Sequence, residues 1–65
     1  MERESFVFKK VYFEAIEELK GDIQAEIYEA IFEYVFYDNE PKVYGVTKSV
    51  FLLIKADIDS NFAMN

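Results

Sequence analysis

An all-α fold, a small three-helix domain, follows from three features of this sequence. Apolar residues recur at helical spacing in three stretches, only two glycines and one proline interrupt the chain, and those breakers fall between the stretches. The predicted helices span about 8–20, 22–37 and 45–60 of a single domain covering residues 1–65, with boundaries good to a few residues. A very short break near Gly21 and a loop of about seven residues before Gly45 suit an antiparallel helical hairpin with a third helix laid across it.

The first helix rests on Tyr12, Ile16 and Leu19 at i, i+4 and i+7. Phe13 and Ala15 widen the stripe, and Glu14, Glu17 and Glu18 face elsewhere. Ser5 is a candidate N-cap. Residues 6–8 form an apolar lead-in that either begins the helix or packs under it; a strand there would need a partner strand, and the sequence offers none. The second helix has Asp22 as a candidate cap and Ile23, Ile27, Ala30, Ile31 and Tyr34 as one stripe. Beside it runs a second apolar stripe of Tyr28, Phe32, Val35 and Phe36, so the helix is expected to be covered from two directions: by the local core, and by the third helix or another chain. The third helix carries Val46, Val50, Phe51, Leu53, Ile54 and Ile58, with Lys48, Lys55, Asp57 and Asp59 off that face. Leu52 and Ala56 extend its apolar arc, which predicts the most buried helix of the three, with residues 61–65 as a fraying end on which Phe62 still continues the Ile58 stripe.

Composition narrows the functional classes. The chain has 65 residues with no Cys, His or Trp, so no disulfide or Cys/His metal site supports what a small core can supply. Yet 52% of the residues are apolar or aromatic, and seven Phe with five Tyr are more than a three-helix core of this size hides easily. That excess argues against a disordered acidic tail and for a folded domain that conceals part of its surface in a partner. The longest apolar run, residues 50–54, is five residues where a membrane-spanning helix needs about 20. No secretory signal is recognisable, and a soluble cytoplasmic protein is expected.

Net charge is −6, which argues against direct nucleic-acid binding. The charge is unevenly placed: residues 14–40 hold nine acids and one base, Lys20, leaving about +2 for the remainder. Asp22, Glu26, Glu29 and Glu33 form one acidic edge at spacings of four, three and four. Such an edge keeps an apolar small protein in solution, or engages a basic partner. Without His or Cys the usual nucleophile–base pairs are absent, and the carboxylates fall on helix faces assigned to solvent, so no catalytic residues are expected. Asp57-x-Asp59 and Asp38-Asn39-Glu40 are poor approximations to a calcium loop, so neither a metal site nor a cofactor is expected.

Three stretches taken together are recognisable: Glu2-Arg3-Glu4-Ser5-Phe6-Val7-Phe8 followed by Tyr12-Phe13-Glu14-Ala15-Ile16; then Tyr28-Glu29-Ala30-Ile31-Phe32-Glu33-Tyr34; then Gly45 leading to Phe51, Ile54 and Asp57-Ile58-Asp59. This ordered set resembles a domain of unknown function of the DUF6291 type, found in bacteriophage and prophage proteins. The resemblance implies an all-helical module of phage or mobile-element origin, often opening larger proteins of phage replication regions, and it brings no catalytic residues. It would place the protein in the host-cell cytoplasm. Relatives usually continue into a polar Asn/Lys-rich stretch where this chain stops at Asn65, so a DNA-binding role in such an extension is not expected here.

The functional expectation is a non-enzymatic protein-interaction or oligomerisation module, with itself as partner, most simply as a homodimer, or with another protein. Tyr28, Phe32, Phe36, Tyr37 and Tyr44 are the candidate interface, and Asp22, Glu26, Glu29 and Glu33 the candidate acidic face. The alternative is an acidic inhibitor of a host nucleic-acid-processing enzyme, acting in anti-defence.

Overall fold

The computed structural model describes residues 4–63. Three helices, α1 (Lys10–Glu17), α2 (Gly21–Tyr37) and α3 (Gly45–Ala63), account for its regular structure, and no strand occurs among the described residues.

Helix α1 is shorter than its apolar period predicts. Residues 5–9 precede it without regular structure, and Lys9, with extended backbone, is the N-cap in place of Ser5. The reason lies in the aromatic side chains ahead of it. Phe8 meets Tyr12 edge-on at 5.4 Å between ring centroids and lies 6.1 Å from Tyr28, while Phe6 reaches Phe32 at 6.3 Å and Phe36 at 5.8 Å. Extended backbone rises about 3.3 Å per residue against 1.5 Å in a helix, so a short arm spans three ring positions of α2 that a helical turn could not.

The link to α2 is residues 18–20, ahead of the break that the sequence suggests at Gly21. Gly21 is the first helical residue, Lys20 caps it without a side-chain hydrogen bond, and Asp22 sits inside the first turn, where its negative charge is attracted to the positive end of the helix dipole. The stapling comes from Gln24 instead. Its Nε2 donates to the Leu19 carbonyl at 2.7 Å and to the Glu17 carbonyl at 3.3 Å, supplying donors to acceptors that the end of α1 leaves unmatched. At its far end α2 closes with Asp38 in the left-handed region (φ 57°), the Asp38 N–H donating to Tyr34 O and the Asn39 N–H to Glu33 O. The bond from left-handed Asp38 to Tyr34 is the αL type of helix stop.

Helices α1 and α2 form the expected antiparallel pair. Helix α3 runs beside α2 in the same direction. Thr47 bonds Glu26 near the start of both helices, while Tyr34 meets Phe51, Lys55 and Asp59 further along. Residues 38–44 make this possible by running back along α2 as an extended strap. Six residues, 39–44, at about 3.3 Å each cover about 20 Å, enough to bring the chain back from the end of α2 to the level of Glu26. Glu40 is tied to Lys55 (Nζ to Oε1, 3.0 Å), and Gly45 (φ 60°) turns the chain into α3.

The core is Tyr12 and Ile16 from α1, Ile27, Ala30, Ile31 and Val35 from α2, and Thr47, Phe51, Ile54 and Ile58 from α3. The expectation that α3 would be the most buried helix is not met. Its buried residues occupy one stripe, i, i+4, i+7, i+11, and Val46, Leu52 and Leu53 stand outside it, exposed. Helix α2 is the central element, covered by α1, the arm, the strap and α3.

Candidate interaction surfaces

Of the second apolar stripe of α2, Val35 is buried in the core, and the arm packs on Tyr28, Phe32 and Phe36. Tyr28, Phe32 and Phe36 stack along the helix at 6.2 and 5.9 Å between successive rings, and Phe6 and Phe8 pack across them. Tyr28 and Phe36 are half-buried as a result, and Phe32 retains 40% exposure. Of the other candidate interface residues, Tyr37 is exposed at the end of α2, and Tyr44 is 78% exposed where the strap enters α3. The fold therefore brings Tyr28, Phe32 and Phe36 together and sets Tyr44 apart, at the other end of the strap.

The acidic edge is real as geometry but partly engaged within the chain. Glu26 accepts from the buried Thr47 hydroxyl at 2.9 Å, and Glu33 accepts from Asn39 Nδ2 at 2.9 Å. Glu26, Glu29 and Glu33 line a cleft of about 420 Å³ whose other wall is the strap, with Lys42 among its residues. Asp22 is exposed at the start of the helix and does not line that cleft. Among the described residues no group of three or more acidic side chains is placed to hold a metal ion, and no helix is long and apolar enough to cross a membrane.

Two features escape a reading of the sequence one helix at a time. The first is a pair of phenol–carboxylate latches. Asp57 and Asp59 flank the buried Ile58, so one faces α1 and the other α2. The Tyr12 hydroxyl donates to Asp57 Oδ2 at 2.5 Å and the Tyr34 hydroxyl to Asp59 Oδ1 at 2.6 Å. Lys9 also reaches Asp57 Oδ2, at 3.0 Å, and Lys55 lies 5.1 Å from the centre of the Tyr34 ring. The clue was available: two acids two residues apart around an apolar position, with a tyrosine inside each of the other two stripes.

Burial, then the hydrogen bond to Asp57 and its negative charge, push the Tyr12 phenol up to about 12. The Tyr12 hydroxyl and then Lys9 hold the Asp57 carboxyl below the ordinary aspartate range, against the opposing effect of burial. For Tyr12 the folded-state value lies above the unfolded one of about 10, so its contribution to stability is complete below pH 10 and lost as the pH rises toward 12. For Asp57 the sign reverses: its contribution is present above the ordinary aspartate value and lost as the pH falls below it. In a tyrosinate absorbance titration of the folded protein, Tyr12→Phe should remove a step that ionises near pH 12. A titration that is the same with and without the Tyr12 hydroxyl would contradict the latch.

The second feature is a groove between α1 and α3 of about 310 Å³, lined by Lys9, Val11, Tyr12, Ala15, Leu53, Ile54 and Asp57. Its rim is apolar and exposed: Val11 at 59%, Leu53 at 74%, and Ala15 between them. The strap fills one flank of α3, while α1 leaves the other open.

No curated protein and no solved structure matches the chain. A family of unknown function (DUF6291) matches residues 5–65, which takes in the arm, all three helices and the strap. The chain belongs to that family.

Proposed function

We propose that this domain is a non-enzymatic protein-interaction module whose first partner is another copy of itself, serving as a docking or oligomerisation part in a phage or prophage setting. The observation that carries this reading is the apolar outer side of the α1–α3 pair. Leu53 and Val46 lie within a long helix at positions where polar residues would be cheaper in water, and Val11 and Ala15 stand beside Leu53. Covering a side chain such as Leu53 or Val11 stabilises by about 1.5–3 kcal/mol each, so a few of them suffice to drive weak association. The want of His and Cys supports a binding role over a catalytic one.

Self-association couples folding to concentration. The thermal midpoint should rise steadily as the protein is concentrated over roughly a hundredfold range. A midpoint independent of concentration would contradict the reading.

A further inference from the structure

We propose that the α1–α3 groove is a two-fold contact with a second copy of this chain, packed antiparallel; the proposal rests on the self-association reading above and gives it a surface. The patch is self-complementary in two respects. Leu53 is the most exposed apolar side chain of α3 and lies level with Val11 and Ala15 across the groove. A two-fold axis perpendicular to the helices at that level sets each Leu53 on its own symmetry mate, with Val11 and Ala15 of both copies around it.

Charge supplies the second respect and fixes the direction. Lys10, Glu14 and Glu18 follow one another at four-residue spacing on the solvent side of Val11 and Ala15, all three exposed. The edge is basic at its first position and acidic at its last. Antiparallel packing centred near Glu14 sets Lys10 of each copy opposite Glu18 of the other, and symmetry makes that favourable pair twice. The one like-charge contact, Glu14 against its counterpart, lies on the open edge, where salt screens it. Parallel packing would oppose Lys10 to Lys10 and Glu18 to Glu18. A generic basic partner would find the stronger acidic field on α2, away from this groove.

Sedimentation velocity of the full chain and its variants tests the proposal, with circular dichroism as the check on folding. L53D should be monomeric at concentrations where the unmodified chain is dimeric, with helicity retained because the side chain is exposed. K10E should weaken association roughly tenfold, since two attractive pairs become two repulsive ones, and K10E/E18K should restore it. A dimer that persists in L53D, or a charge swap that restores nothing, overturns this contact while leaving self-association standing. An unmodified chain that stays monomeric overturns both.

Discussion

Replacing Ile31 by Ala should leave little folded protein at 25 °C. Ile31 is fully buried near the middle of α2, within the stripe that also contributes Ile27, Ala30 and Val35 to the core. Truncation of such a side chain removes its transfer free energy and leaves a cavity, at a cost of about 2–5 kcal/mol. A domain of this length buries only about 60% of its unfolded surface and has little stability in reserve. Urea unfolding followed by circular dichroism should show the native baseline shortened or gone. Ile31→Val should cost only about 0.5–1.5 kcal/mol and keep a cooperative transition. Leu53→Ala, on the exposed flank of α3, should barely change the stability of the isolated chain. If Leu53→Ala proved as damaging as Ile31→Ala under monomeric conditions, the placement of the core would be wrong.

The second large effect is expected from the arm. Phe6 and Phe8 together make five edge-on or tilted ring contacts, one of them with each other, and they cover the row Tyr28, Phe32 and Phe36. An aromatic pair contributes about 0.5–1.5 kcal/mol beyond the area it buries, so changing both rings to Ser should cost roughly 3 kcal/mol or more. It should also bare an aromatic strip on α2. Binding of a hydrophobic dye should increase sharply, and the chain should lose solubility on heating. A double variant with unchanged midpoint and no dye binding would mean that the arm is not part of the fold.

Much of this architecture was legible in the residues. The three apolar periods, Gly45, and the polar stretch around Pro41 placed the helices and the loop, because a 3.6-residue period leaves little else for those stretches to become. What the period could not show was which element covers which face. The second stripe of α2 was evident, but its cover is an irregular arm too short to carry a period of its own. The apolar breadth of α3 suggested deep burial; in the fold Leu53 and Val46 face outward, and only the stripe of Thr47, Phe51, Ile54 and Ile58 is buried. The direction of α3 depends on whether a seven-residue segment turns tightly or extends, and its composition does not decide between the two.

The candidate surfaces divide in the same way. The acidic row rests on spacing along one helix, and Glu26, Glu29 and Glu33 share a cleft that Asp22 does not line. Its engagement with Thr47 and Asn39 depends on the returning strap and could not be read from α2 alone. The Val11–Ala15–Leu53 groove joins residues some forty positions apart, and each of them by itself is an ordinary apolar helix residue.

Sedimentation equilibrium of the unmodified chain, from low to high micromolar concentration, tests the central claim most directly. A reversible rise in weight-average mass to twice that of the single chain is expected. A mass that stays at that of one chain throughout the range would contradict it.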